Sequence, residues 1–424
     1  MKRCAIIFAL PLIGATQYAG SCAWKFSKTG NDGRGGAFTV TGVGAGAFAP
    51  ALLKNWVFDL RFPLMAPQGG GGCRNIYAAN VVNNGPGCFN AYFGGWDGVA
   101  SCHDSVSVAV TKTNFATINQ HVPQIATGAD VHVNNPSVAV ERSSGQWYMV
   151  YTQLPPGSPA RNKPGISQGP DGVSWSPNAG GANFLAVTNY SNWSNADVNG
   201  GNVLVIDAEG TFHLYFVDFT SPAGGSVFHA TAPASRAAPR SMSFRGVLID
   251  SGAGLRIVND VKPVGGAFLM ALHANGPEVF ISSAASPYGP FSAPAVLFSH
   301  LSAEDAFIVS ISLVVDEAQS RVMGALYGAS ATAALDTNAI FAAWLQRRVL
   351  FKSADNATVM GLGAAARALG PDSVVLDTNF PASMQGRFFL YDADFDPRSG
   401  GGGALLGVSE LLTVFNGDVW QLQC

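Results

Sequence analysis

The sequence predicts an all-β fold assembled from repeated small sheets. Three observations carry that expectation. Short stretches alternate apolar and polar residues with the two-residue period of a half-buried strand. Gly at 50 and Pro at 24 of 424 residues demand many turns, which suits short strands better than long helices. One unit recurs along the chain: a polar lead-in, a strand, a turn and an aromatic strand. Residues 132–152 are its clearest copy, where His132, Asn134 and Asn135 run into Val138 and Val140, Ser143-Ser144-Gly145 turns the chain, and Trp147, Tyr148, Val150 and Tyr151 return.

In chain order, residues 1–21 have the layout of a secretory signal peptide: Met1-Lys2-Arg3, an apolar run from Cys4 to Ile13, then small residues to Ser21. A secreted, periplasmic or cell-surface protein is therefore expected. The run is too short for a membrane span, and no later stretch is long and apolar enough. Ala19-Gly20-Ser21-Cys22 offers a lipid anchor at Cys22. Without Cys4, the cysteines Cys22, Cys73, Cys88, Cys102 and Cys424 remain. Cys73, Cys88 and Cys102 lie close together with no zinc-like spacing, so a local disulfide is expected rather than a metal. A Cys22–Cys424 bond would staple the two ends. Residues 22–72 read as a Gly-rich, irregular segment around the apolar patch Trp56-Val57-Phe58-Asp59-Leu60-Arg61-Phe62.

The five units have lead-ins near residues 76, 132, 197, 257 and 306. None can bury both faces alone, so they are expected to stack. With three or four strands per unit, the closed solution is a five-bladed β-propeller over residues 73–355. Residues 356–424 read as a small C-terminal β extension or as the closure of the first blade. A monomer is expected.

Charged residues are 12% of the chain and the net charge is -3. No basic field favours nucleic acid. The glycine runs match neither a phosphate loop nor a dinucleotide fingerprint, and no nucleophile elbow occurs. Asp392, Asp394 and Asp396 lack the Gly and the last carboxylate of a calcium loop. No cofactor and no metal are expected. His213, His229 and His273 lie in apolar strands and read as core residues.

Ala91-Tyr92-Phe93-Gly94-Gly95-Trp96, Asn135-Pro136-Ser137-Val138 with the aromatic strand Trp147 to Thr152, and Gly169-Pro170-Asp171-Gly172-Val173-Ser174-Trp175 together resemble the five-bladed propeller glycoside hydrolases. That group includes arabinanases, xylosidases, levansucrases and invertases, and the resemblance spans residues 75–351. It implies a carbohydrate partner and three carboxylates around a central pocket, one from each of the first three blades. The chemistry needs an acid to protonate the leaving oxygen and a carboxylate to activate water or attack the sugar. Here the matching positions carry Asn80, Asn134-Asn135 and Asp197, and an amide takes no proton at working pH. The acids therefore have to be sought more widely. Asp197, Asp104 and Asp260 are the catalytic candidates; His132, Asn134, Asn135, Asn80, His103, Trp96 and Asp305 are the substrate-binding candidates. Two functions follow: a glycoside hydrolase-like enzyme, or a non-catalytic glycan-binding or surface-interaction propeller.

Overall fold

A computed structural model of the chain describes residues 23–28, 38–41, 56–67, 75–96, 105–125, 130–361, 373–375, 383–391 and 405–423, apart from short breaks inside the longer spans. The described residues are all-β, with no α-helix and a 3₁₀ turn at Ala303–Asp305. None of their helices is long and apolar enough to cross a membrane. The signal-like segment, the acidic run 392–396 and every cysteine except Cys88 lie outside the described residues, as does the expected disulfide.

Five antiparallel sheets follow one another along the chain. The first comprises Asn75–Asn83, Phe89–Trp96, Ser105–Lys112 and Thr117–Gln120. The second is His132–Glu141, Gln146–Leu154 and Lys163–Gly169. The third runs Asn202–Ile206, Phe212–Val217, Val227–Ala232 and Ser241–Ile249, with Ala186–Thr188 added in parallel at its outer edge. The fourth is Ile257–Val264, Ala267–His273, Glu278–Ala284 and Ala295–Ser299. Phe307–Asp316, Arg321–Ser330 and Ala339–Leu345 make the fifth. Alternation predicts half-buried strands, yet Phe212–Val217 and Val227–Ala232 are buried on both faces between neighbouring sheets.

The first strand of each sheet lies against that of the next, and the fifth lies against the first. A separate apolar core fills each of the five junctions. Tyr92 and Val108 meet Met149 and Tyr151; Tyr148 and Val150 meet Leu204 and Phe216; Val203 and Tyr215 meet Val261 and Met270. Leu269 meets Ile311 and Leu313, and Val314 and Trp344 meet Val81 and Phe93. Each fully buried aromatic or aliphatic side chain contributes roughly 1.5–3 kcal/mol, so the junctions dominate the stability of the assembly.

The segment expected to be irregular, 22–72, supplies strands. Trp56–Phe58 is the fourth strand of the fifth sheet, pairing with Ala339–Leu345. Asp59, directly after it, is fully buried and accepts hydrogen bonds from Trp344 Nε1 at 2.7 Å and from Arg61 Nε at 2.8 Å, while Arg61 Nη1 reaches the carbonyl of Phe115 at 2.7 Å. The N-terminal side of the chain thus completes the last sheet and is tied to the first. Ala23–Lys28 and Phe38–Thr41 join Val419–Gln423 and Ser373–Val375 in another sheet. The remaining tail strands, Val349–Ser353, Val359–Gly361, Ser383–Tyr391, Leu405–Val408 and Leu412–Phe415, form one more sheet. Among the described residues none of the tail strands pairs with the first sheet.

The loop Gly169 to Trp175 is a scaffold element. Asp171 Oδ1 accepts from Val173 N–H at 3.0 Å and Ser174 N–H at 2.7 Å, which fixes the turn. Gly172 sits at φ +74°, and a Cβ there would lie 2.8 Å from the Trp147 ring. Its carbonyl receives the Tyr92 hydroxyl at 2.6 Å, joining the first two sheets.

Candidate functional site

Four of the five first strands break register near their start: between Tyr77 and Asn80, Asn134 and Ser137, Val258 and Asp260, and Ile308 and Ser310. Ala78 at φ +54° and Asn135 at φ +48° form two of these breaks, and Gly200 at φ +76° stands just before the third sheet's first strand. Such bulges bend a strand and re-aim its side chains, and they gather next to functional sites. After the break each first strand resumes with a buried polar residue and then a buried β-branched one: Asn80-Val81, Ser137-Val138, Asn202-Val203, Asp260-Val261 and Ser310-Ile311.

These polar residues clasp one sheet to another. An innermost strand has no ladder partner on its axial side, so its N–H groups need acceptors from elsewhere. Asn80 Oδ1 accepts from Val138 N–H at 2.9 Å, Ser137 Oγ from Leu204 N–H at 3.0 Å, and Asp260 Oδ2 from Leu313 N–H at 2.8 Å. Ser312 Oγ accepts from Val81 N–H at 2.9 Å and Ser310 Oγ from Ala78 N–H at 3.0 Å. Asp260 also receives Ser312 Oγ at 2.8 Å, Asn80 Nδ2 at 3.3 Å and Lys262 Nζ at 3.2 Å. Burial raises its pKa, and Lys262 with these hydrogen bonds pulls the other way. Both carboxylate oxygens are committed.

At the lead-in end lies an amide-rich mouth. Asn134 Nδ2 donates to the Tyr77 hydroxyl at 3.0 Å, and Asn134 Oδ1 receives Asn135 Nδ2 at 2.7 Å. A Cβ on Gly94 would sit 3.3 Å from Asn134 Cβ, which accounts for the glycine in the first sheet's aromatic strand. Asn202 Nδ2 holds the carbonyl of Asn135 at 3.2 Å. On the fourth sheet Asn259 Nδ2 donates to the carbonyl of Gly200 at 3.2 Å, while Asn259 Oδ1 is bonded by His273 Nδ1. Burial pushes the His273 pKa down to about 4, so the ring is neutral. Asn135 Oδ1 has no partner among the described residues.

A second group flanks the mouth between the second and third sheets. His132 Nε2 lies 2.8 Å from Asn162 Oδ1, and Asn162 donates to Asp197 Oδ1 from its backbone N–H at 2.9 Å and from Nδ2 at 2.7 Å. Asp197 is half-buried, and its Oδ2 has no partner among the described residues. Lys163 Nζ donates to the carbonyls of Trp193 at 2.5 Å and Ala196 at 2.7 Å.

Of the residues nominated from sequence, Asn80 and Asp260 meet directly, Asn134 and Asn135 form one pair, and His132 and Asp197 share Asn162. Asp305 stands apart: it is fully buried and accepts from Leu301 N–H, Ser302 N–H and the Tyr327 hydroxyl, the last at 2.8 Å. His103, Asp104 and the Trp96 side chain lie outside the described residues. Sequence reasoning missed Tyr77, Ser137, Ser310, Ser312 and His273. Ser137 and Ser310 had a signal, since a polar residue followed by Val or Ile recurs at the same place in every first strand.

No family model matches the chain, and no curated protein matches it in sequence. Similar solved structures include a candidate glycosidase from Bacteroides thetaiotaomicron, 11% identical, covering 70% of this chain and 99% of that one with a TM-score of 0.50. The chain shares that fold. Two alpha-L-arabinofuranosidases are also similar: one from Podospora anserina in complex with cellotriose, at 13% identity, 68% and 96% coverage and a TM-score of 0.48, and one from Coprinopsis cinerea, at 14%, 68% and 96%, and 0.48.

Proposed function

We propose that the five sheets are the blades of a five-bladed β-propeller, latched by Trp56–Phe58 and followed by a small C-terminal β extension. The protein is read as an exported, glycoside hydrolase-like carbohydrate-active protein that holds a glycan at the mouth of the ring. The ring of contacts among the five first strands and the fold likeness support the architecture. Export rests on the signal-like residues 1–21.

The observation that carries the reading is the mouth itself. Asn134, Asn135 and Asn259 hold their amides in set orientations, and pre-ordered polar groups suit the hydroxyls of a sugar. The second reading, recognition without hydrolysis, rests on one further observation. Asp260 and Asp305 spend their oxygens on the scaffold, which leaves Asp197 as the described candidate with an uncommitted carboxylate oxygen. Both glycosidase mechanisms need two working carboxyl groups.

The test is a panel of plant and microbial polysaccharides and aryl glycosides, assayed for binding and for turnover with the full chain and with Asp197→Asn. Binding is expected; turnover that Asp197→Asn abolishes supports the hydrolase-like reading, and binding without turnover supports recognition alone. Turnover that survives Asp197→Asn would remove Asp197 from the chemistry, and a panel with no bound glycan would remove the reading.

A further inference from the structure

The connection between the second and third strands of the third sheet ends at the mouth, because Phe212–Val217 runs antiparallel to Asn202–Ile206 and finishes with Val217 N–H on the carbonyl of Gly201 at 2.8 Å. Two residues on, Phe219 N–H donates to the carbonyl of Asp197 at 2.9 Å. Phe219 is 39% exposed and enters no ring contact among the described residues. The neighbouring aromatics are already occupied. Lys163 Nζ sits 5.0 Å from the Trp193 ring centre, and Tyr190 packs on Phe216, Phe228 and Phe244.

A single exposed aromatic on a loose loop means little. This loop is pinned. Asp218, adjacent to Phe219, is fully buried and accepts from Asp197 N–H at 3.0 Å, Thr220 N–H at 2.9 Å, Thr220 Oγ1 at 2.7 Å, the Tyr190 hydroxyl at 2.9 Å and Asn192 Nδ2 at 2.7 Å. One buried carboxylate therefore fixes the backbones of Asp197 and Phe219 against each other, with Asp197 Oδ2 uncommitted and the Phe219 side chain part-exposed.

We infer that Phe219 and Asp197 form a rim subsite for a further sugar ring of a glycan chain held at the mouth. The apolar face of that ring stacks on Phe219, and one of its hydroxyls donates to the Asp197 carboxylate. The aromatic face is electron-rich and attracts the weakly positive C–H groups of a sugar. Because both groups are held before binding, little ordering is required of them. The inference rests on the reading that the mouth binds a glycan.

Xylo-, arabino- and cello-oligosaccharides of one to five units serve as probes, with affinity measured by calorimetry on the full chain. Phe219→Ala is expected to weaken binding of the longer members of the bound series by about tenfold, which corresponds to ~1.4 kcal/mol. It should leave the single sugar nearly unchanged, and Phe219→Trp should keep the dependence on length. Equal loss at every length, or no loss at any, overturns the subsite. So does a wild-type affinity that does not grow with length, and that outcome leaves the mouth reading standing. If none of the series binds the wild type, the mouth reading fails and the subsite falls with it.

Discussion

Asn80 and Asp260, 180 residues apart in the chain, meet side chain to side chain, with Asn80 Nδ2 3.3 Å from Asp260 Oδ1. The contact joins the first sheet to the fourth, and the other oxygen of Asp260 holds the fifth through Ser312 and Leu313. Removing one member of a buried ion pair leaves its partners uncompensated, at a cost of roughly 3–5 kcal/mol. Asp260→Ala should therefore lower unfolding free energy by about that amount, and Asp260→Asn should lower it less. Urea titration at neutral pH measures both. An Asp260→Ala variant as stable as the parent would show that the clasp contributes nothing.

Asp59 supports a second prediction. Its carboxylate holds Trp344 Nε1 and Arg61, and Arg61 in turn holds the first sheet through Phe115. Asp59→Ala strands a buried indole N–H and a guanidinium, so a loss of about 3 kcal/mol or more is expected. Hydrogen exchange should localise the weakening to Trp56–Phe58 and Ala339–Leu345. Protection lost evenly across all five sheets would argue against a local latch.

The five sheets were legible because strand alternation is a local signal, and a buried face repeats every second residue whatever its partner. The latch was not. Trp56–Phe58 has three residues, too few for alternation to register, and Asp59 finds Trp344 285 residues away. The candidate site was legible in part. Asn134, Asn135 and Asp197 stand where the repeated lead-ins point, but whether a polar side chain faces a ligand or clasps a neighbouring strand depends on bulges at Ala78 and Asn135. Ala gives no sign of a positive φ, and Asn, though enriched there, adopts it at only a few of its positions. Asp260 looks from sequence like an acid at a pocket, and the structure commits it to Ser312, Leu313, Asn80 and Lys262.

His213, His229 and His273 are all buried, and burial lowers the pKa of each, to about 3 for His229 and about 4 for His273. The fold holds the neutral rings: His213 Nε2 contacts Asp207 Oδ2 at 2.9 Å, and His213 Nδ1 contacts His229 Nε2 at 3.0 Å. The unfolded chain takes up protons below a pKa of about 6.5 while the folded chain does not. These rings contribute their full stability above that pH and lose it as pH falls toward 4. The slope is on the order of 1.4 kcal/mol per pH unit for each ring. His229→Phe keeps the stack on Tyr215, whose ring centre is 5.0 Å away, and should make the decline between pH 6 and 4 shallower. An unchanged slope would show that His229 titrates alike in both states.

Gly200 links backbone strain to recognition. It has φ +76°, and a Cβ there would lie 3.3 Å from Asn135 Nδ2, the group that orients Asn134. Its carbonyl also holds Asn259 Nδ2 at 3.2 Å. Gly200→Ala places an L side chain in the left-handed region, at a cost of about 1 kcal/mol, and pushes the Asn135 amide away from Asn134 Oδ1. The variant should melt a few degrees lower, in line with that cost, and should lose more glycan affinity than its stability loss explains. Asn135→Ala separates the two effects, since it removes the amide and leaves Gly200 unstrained. If Gly200→Ala binds as the parent does while Asn135→Ala does not, Asn135 reads the ligand without help from the glycine. If both bind as the parent does, the amide-lined mouth is not where the glycan sits.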